Sequence, residues 1–173
     1  MRALRRALPL RDGKTVVLRT ITPQDLPAWE KMILSCSSDT LFRRFEVRSH
    51  QAVLSRAKEL WDAETVVIVA ELEGALVGEA RLCLLPGGQS AEFCVLVADP
   101  WQGVGIGAAL TDFALDLAKA MGLEKILVEI IPENLRIIDF LRRRGFCFTA
   151  ERDGRTYRGE LCFPAVERNK RSP

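Results

Sequence analysis

The chain has 173 residues, of which 48% are hydrophobic and 28% charged, and its formal net charge is +2. These values predict a soluble domain of ordinary size, and so small an excess of charge gives no indication of nucleic-acid binding. No apolar run approaches the roughly 20 residues that span a membrane, and the basic start lacks the apolar core of a secretory signal. We therefore expect one cytoplasmic domain over residues 1–173, with a basic lead-in at 1–12 and a polar tail at 165–173.

The cysteines favour a reduced protein without a structural metal site. No two of the five form a C-x-x-C pair, and the chain has a single histidine, His50. Four of the five lie in apolar, strand-like runs, where a free thiol packs as a small hydrophobic group. We interpret them all as reduced core residues: Cys36, Cys83, Cys94, Cys147 and Cys162.

The first third of the chain predicts one strand followed by short helices. The strand covers residues 13–21, where two sets of side chains alternate. Thr22 followed by Pro23 has the pattern of a helix start, and Ser37 offers an N-cap for a second short helix. A third helix is predicted over residues 51–60, because its apolar residues recur on one side.

Three strands should follow, over residues 65–72, 75–85 and 91–98. The connections between them are short and rich in glycine, which is typical of hairpin turns. We therefore expect the three strands to be neighbours and antiparallel. Glu79 and Arg81 lie two residues apart on one face of the middle strand, and we interpret them as an ion pair on the surface.

The strand at 91–98 leads into a glycine-rich turn and then a helix over 105–121. Pro100 ends the strand, and the glycines are residues 103, 105 and 107. The free N–H groups and the positive dipole end of a helix N-terminus attract phosphate, and glycines let an anion approach the backbone. A plain tight turn is the alternative. Residues 103–108 also fit a dinucleotide fingerprint, but too few residues follow for a doubly wound sheet.

The last third predicts a second crossover unit and a closing hairpin. The strand at 125–131 follows a strand-helix connection, so it should lie parallel to the strand at 91–98. Asn134 opens a helix that ends at Gly145, and residues 146–150 and 158–163 form the hairpin.

The sequence VLVADPWQGVGIG, at residues 95–107, resembles the acyl-CoA motif Q/R-x-x-G-x-G/A of the GCN5-related N-acetyltransferases (GNAT). Asn134 and the RGF segment at 144–146 resemble that family's Asn…Gly-Phe segment, and LRTITPQD at 18–25 resembles its first strand and helix. More narrowly, three segments resemble the acetyltransferase domain of bacterial protein lysine acetyltransferases of the Pat type, namely residues 11–13, 37–45 and 91–93.

The resemblance implies a GNAT fold, of class α+β (α/β). Its mixed central sheet should have about six to seven strands, mostly antiparallel with one parallel pair, and helices on both faces. Acetyl-CoA is the implied cofactor. Backbone amides of residues 103–108 would hold its pyrophosphate, while residues 95–97 would pair with its pantetheine arm, which requires this strand to diverge from the strand at 125–131. The implied cofactor contacts are Val95, Leu96, Val97, Gln102, Gly103, Val104, Gly105, Ile106, Gly107, Ala108 and Asn134.

An acceptor amine must lose a proton before it attacks the thioester, and Glu92 is the candidate general base. It interrupts an apolar strand and should share a face with Cys94 and Leu96. We expect partial desolvation of this carboxylate, and an exposed charge at the strand end is the alternative. Glu129 is the second candidate, although we favour a buried carboxylate bonded to backbone N–H groups there.

One position departs from the family's pattern. Many members place a tyrosine seven residues after the asparagine, as the acid for the departing thiolate. Here that position is Leu141, and the only tyrosine is Tyr157, in the closing hairpin. A thiolate with a pKa of roughly 8.5 leaves without much help, so we assign no general acid.

The sequence thus predicts an acetyl-CoA-dependent N-acetyltransferase that acts on a primary amine, with a protein lysine side chain favoured as the acceptor. A small-molecule amine as acceptor, and a non-catalytic sensor that binds acyl-CoA, are the alternatives. No nucleic acid, membrane or metal is expected as a partner, and a homodimer stays open. Residues 22–62 and 150–158 should determine the choice of acceptor.

Overall fold

A mixed sheet of eight strands, with five helices packed on it, forms the computed structural model, which describes residues 5–10, 13–150 and 156–164. The strands are β1 Arg5–Pro9, β2 Thr15–Thr20, β3 Thr65–Leu72, β4 Ala75–Leu84, β5 Ser90–Val97, β6 Lys125–Ile130, β7 Cys147–Ala150 and β8 Tyr157–Cys162. The helices are α1 Leu26–Leu34, α2 Ser38–Phe45, α3 His50–Leu54, α4 Ile106–Ala120 and α5 Arg136–Arg142. The spatial order is β1-β2-β3-β4-β5-β6-β8-β7, and only β5 and β6 are parallel.

This architecture confirms the predicted fold class, with eight strands in place of six to seven. The additional strand is β1, which lies inside the segment predicted to be a basic lead-in. Its arginines conceal the strand pattern, but Leu8 packs against the core beside its partner Val16, and Leu10 is buried. Arg6 reaches α4, where it forms an ion pair with Asp116 at 2.9 Å. The predicted polar tail at 165–173 lies outside the described residues.

The sheet separates two layers of helices, as predicted. One core lies under α4 and α5 and includes Ile68, Ala80, Leu82 and Phe93 from the strands. The second core lies under α1, α2 and α3, where Trp29 and its neighbours meet the opposite face of β3, β4 and β5. No helix of the described residues is long and apolar enough to cross a bilayer.

The predicted pair of Glu79 and Arg81 exists, but its placement on the surface is wrong. Glu79 is fully buried and Arg81 is 4% exposed, because α1 and α2 cover this face of β4. Arg81 donates to Glu79 Oε1 at 2.9 Å, and the indole N–H of Trp29 donates to Glu79 Oε2 at 2.7 Å. Alternation along a strand predicts which residues share a face, but it does not say which face the helices cover.

The local predictions about caps, the third helix and the cysteines have different outcomes. Gly122, with φ of 76°, ends α4 as predicted, and Ser37 caps α2 by accepting a hydrogen bond from the backbone of Thr40. The predicted third helix is split into α3 and a 3₁₀ turn at Ala57–Trp61. All five cysteines are free thiols, but only Cys36 is a buried core residue. Cys83 and Cys94 are half-buried, and Cys147 and Cys162 are exposed.

Gly78 of β4 lies where α4 comes closest to the sheet. A Cβ atom there would be 2.8 Å from the carbonyl oxygen of Leu96 and 3.0 Å from Leu110 Cδ1. Because that oxygen belongs to a paired strand, we expect Gly78→Ala to lower the free energy of unfolding by about 2 kcal/mol. Gly107→Ala is the control, since its Cβ would meet Val97 Cγ2 at 3.6 Å. Urea unfolding measures both variants, and equal stabilities would contradict the prediction.

Candidate functional site

β5 and β6 are paired for only three residues before they diverge. Residues 90–92 pair with residues 125–127, after which β6 continues beside β8 as far as Ile130. β5 continues beside β4 as far as Val97. The backbone groups of β5 beyond Glu92 therefore make no ladder hydrogen bonds on the β6 side. This is the divergence that pairing with an extended ligand requires.

Three adjoining cavities fill the gap, and Val95, Asn134 and Ile137 line all of them. We call them together the β5 groove. The outer cavity, of about 400 Å³, lies along the glycine turn, and the middle cavity, of about 190 Å³, reaches Thr40 and Arg44. The inner cavity, of about 70 Å³, contains Cys94, Glu129 and Leu141 among its lining residues.

The groove brings together most of the residues predicted to contact the cofactor. Two of them do not line it: Ile106 is buried beneath the turn, and Val104 packs against the core. The lining residues among those predicted are Val95, Leu96, Val97, Gln102, Gly103, Gly105, Gly107, Ala108 and Asn134.

The glycine turn presents free amide groups at the start of α4. Gly103 and Gly105 have φ of 81° and 103°, which a residue with a Cβ adopts only under strain. The first hydrogen bond of the helix runs from the N–H of Ala109 to the carbonyl of Gly105. The preceding amides of residues 106–108 have no partner within the helix. Together with the dipole of a 15-residue helix, they suit a phosphate or pyrophosphate.

A hydrogen-bond network joins this turn to α2. The Gln102 side chain donates to the carbonyl of Val97 at 2.9 Å and to Thr40 Oγ1 at 3.1 Å. Asp99 accepts from the backbone N–H of Ser37 at 2.8 Å, from Ser37 Oγ at 2.7 Å and from Thr40 Oγ1 at 3.1 Å. Partial burial acts to raise the pKa of Asp99, but these hydrogen bonds outweigh it and lower the pKa below its usual value. The sequence analysis found Gln102 but missed Asp99 and Thr40.

Glu92 is the last residue of β5 that pairs with β6. It lies opposite Leu127 on β6 and opposite Cys83 on β4. It shares a face with Cys94 and Leu96, as predicted, since their partners on β4 are also alternate residues. Its side chain is exposed, so the expected partial desolvation is not found.

Glu129 is exposed as well, which contradicts its interpretation as a buried carboxylate. The helices on this side pack over β3, β4 and β5 and leave this face of β6 open. Glu92 and Glu129 line one further cavity of about 180 Å³, together with Leu85 and Arg158. Because Glu129 also lines the inner cavity, the two spaces adjoin at this residue.

Comparisons with known proteins find a matching family, relatives in sequence and solved structures of similar fold. The family model described as "Acetyltransferase (GNAT) family" matches residues 33–146. The acetyltransferase Pat of Mycolicibacterium smegmatis is 28% identical over 148 residues, covering 82% of this chain and 44% of that protein. A mycothiol acetyltransferase of Beutenbergia cavernae is 37% identical over 75 residues, covering 43% of this chain and 25% of that protein. The chain thus spans less than half the length of these relatives.

Solved structures share the fold. The GNAT domain of S. lividans PAT has a TM-score of 0.83 at 22% identity, over 92% of this chain and 97% of that one. A putative acetyltransferase from Salmonella typhimurium, solved with its cofactor acetyl-CoA, has a TM-score of 0.68 at 20% identity, over 87% and 95%.

The matched segment contains the whole of β5, the glycine turn, α4 and Asn134. The resemblance that the sequence predicted is therefore confirmed. The matched family is one of acetyltransferases, and acetyl-CoA is the cofactor in the similar Salmonella structure, which agrees with the predicted reaction class and donor. The chain belongs to the acetyltransferase (GNAT) family.

Proposed function

We propose that this protein transfers the acetyl group of acetyl-CoA to the amine of a protein lysine side chain, with Glu92 as the general base. The observation that carries this proposal is the free edge of β5, which begins just beyond Glu92 and leads to the amides of the glycine turn. The same strand thus joins a candidate base to a candidate anion site. The resemblance of three segments to Pat-type protein lysine acetyltransferases, together with the likeness to the acetyltransferase Pat, supports a protein acceptor.

Acetyl-CoA would lie along the β5 groove. Its pyrophosphate would accept hydrogen bonds from the amides of residues 103–108, and its pantetheine arm would pair with the backbone of residues 95–97. Asn134 lines all three cavities, so its amide can orient the arm or an adjacent water. The thioester would then reach the inner cavity, next to Glu129 and on the side from which the acceptor enters.

The reaction is a direct attack of the amine on the thioester. A lysine ammonium, with a pKa of about 10.4, has no lone pair until a base removes a proton. Glu92 takes that proton, the nitrogen bonds to the carbonyl carbon, and the C–S bond then breaks, while the nitrogen gives its excess proton to water. The thiolate leaves without an acid, because the position of the family's tyrosine is Leu141, which is buried. The carboxylate of Glu129 adds negative charge, which favours the approach of a cationic amine.

A small-molecule amine is the second candidate acceptor. The likeness to a mycothiol acetyltransferase favours it, as does the modest volume, about 180 Å³, of the cavity that Glu92 and Glu129 line. Mass spectrometry after incubation with acetyl-CoA decides between the candidates, using a panel of lysine-containing proteins and a panel of small amines. Acetylated lysines support the proposal, and acetylation of small amines alone overturns the choice of a protein acceptor. Binding of acetyl-CoA without turnover of any acceptor would indicate the sensor instead.

Glu92→Gln tests the base. We expect kcat to fall about 100-fold while the Kd for acetyl-CoA stays unchanged, since a general base typically contributes a factor of 10² to 10⁴. Steady-state kinetics and calorimetric titration measure the two constants. Glu129→Gln is the matched control, because this carboxylate lines the same cavity and is also exposed. Unchanged turnover in Glu92→Gln, or an equal loss in Glu129→Gln, would remove Glu92 from the mechanism.

Gly105→Ala tests the anion site. With φ of 103° at this position, a Cβ strains the turn and turns the amides of α4 away from the pyrophosphate. We expect the Kd for acetyl-CoA to rise about tenfold, which corresponds to about 1.4 kcal/mol. Gly87→Ala is the control, since Gly87 has φ of 96° and equally open surroundings but lies in the β4–β5 turn. Equal affinities for the two variants would argue against binding at this turn.

A further inference from the structure

Two cysteines lie beside Glu92 on the same face of the sheet. Cys83 of β4 is directly opposite Glu92, and Cys94 of β5 is opposite Arg81. The two cysteines are therefore diagonal neighbours on adjacent strands, and both are partly buried. Neither has a part in the proposed acyl transfer.

The polar contacts of the two thiols distinguish them. The Cys94 thiol donates a hydrogen bond to Cys83, and Thr65 Oγ1 of β3 lies 3.9 Å from Cys83 Sγ. The bond from Cys94 lowers the pKa of Cys83 to about 6 against the opposing effect of burial, with help from Thr65, Arg44 and Arg81. The pKa of Cys94 is raised well above the usual value by its hydrogen bond to Cys83 and by its burial. At neutral pH, Cys83 is therefore the thiolate of the pair, and Cys94 keeps its proton.

Positive side chains near the pair favour an anion at Cys83, whereas the exposed carboxylate of Glu92, directly opposite, disfavours it. Two guanidinium groups, those of Arg44 and Arg81, share the single buried carboxylate of Glu79. Arg81 contacts it at 2.9 Å, whereas Arg44 Nη2 is 3.8 Å away. Arg44 Nε is buried and has no hydrogen-bond partner in the described structure. Glu59 lies 3.9 Å from Arg81, but its side chain is 42% exposed, so it neutralises the excess positive charge of the two guanidinium groups only weakly. A thiolate at Cys83 offsets the remaining positive charge.

We propose that Cys83 and Cys94 form a redox-active dithiol, which hydroperoxides oxidise to a disulfide and small thiols reduce. The thiolate of Cys83 attacks one peroxide oxygen, the O–O bond breaks, and the leaving alkoxide takes a proton to give an alcohol. Cys83 is then a sulfenic acid. Cys94 loses its proton as its sulfur attacks Cys83, and the sulfenic oxygen leaves as water. The two thiols supply the two electrons that reduce the peroxide.

The position of the pair connects this chemistry to acyl transfer. Diagonal neighbours on paired strands have Cβ atoms roughly 7 Å apart or less, whereas a disulfide needs about 4 Å. Because β4 and β5 already lie at the spacing of paired strands, closing the bond requires them to shift along one another next to Glu92. Cys94 also lines the inner cavity, so a movement of Cys94 on disulfide formation changes the shape of the β5 groove. Oxidation should weaken acetyl-CoA binding and slow turnover, and reduction should restore both.

Thiol counting and peptide mapping test the bond. After a tenfold excess of hydrogen peroxide, we expect the free thiols to fall from five to three, the mass to fall by about 2 Da, and peptides containing Cys83 and Cys94 to be linked. Dithiothreitol should reverse all three changes. Cys83→Ser should form no link, while the matched control Cys147→Ser, at an exposed cysteine, should oxidise as the wild type does. Survival of all five thiols, or a link through Cys147 or Cys162, would overturn the proposal.

The wild type supplies a second test that does not depend on the folding of a variant. Peptide-resolved alkylation with iodoacetamide should label Cys83 with a half-maximal rate near pH 6, while free N-acetylcysteine has its midpoint near about 8.5. A profile for Cys83 that coincides with the free thiol would refute the thiolate. Neither measurement needs an acceptor, so a protein without turnover would end the proposed function and leave the dithiol standing.

Discussion

The separation of β5 from β6 after three paired residues is the constraint on which the site depends. A strand edge inside a sheet is stable only if its N–H and C=O groups find other partners, in water or in a ligand. Each strand is held by its other neighbour: β5 pairs with β4 over seven residues, and β6 pairs with β8 over six. The gap between them is therefore a property of the paired framework. An extended amide chain such as pantetheine can complete the ladder there.

The framework also sets where the anion site lies. Gly78 lets the first turns of α4 approach the sheet, because its missing side chain leaves room for Leu110 and for the carbonyl of Leu96. The free amides of α4 are thereby held at the end of the open edge of β5. A ligand with a diphosphate at one end and an extended amide arm at the other meets complementary groups along one continuous path.

The sequence predicted what depends on neighbouring residues and missed what depends on the packing of distant ones. The strand, glycine turn and helix at 91–121 form a local pattern, as does the C-terminal cap at Gly122, and all were recovered. The burial of Glu79 and the exposure of Glu129 depend on which parts of the sheet the helices cover, and alternation along one strand carries no information about that. β1 was missed because it begins with two arginines and Leu8 is its one residue recorded as packed against the core.

Thr40 connects α2 to the segment that joins β5 to the glycine turn. Its hydroxyl donates to Asp99 and accepts from Gln102, so one side chain of α2 holds both the end of β5 and the residue that precedes the glycine turn. α2 also carries Arg43 and Arg44, which line the inner cavity. One hydroxyl of α2 therefore links the helix that borders the inner cavity to the turn that borders the outer one. A substitution in α2 that displaces this hydroxyl would therefore disturb the hydrogen bonds of both Asp99 and Gln102.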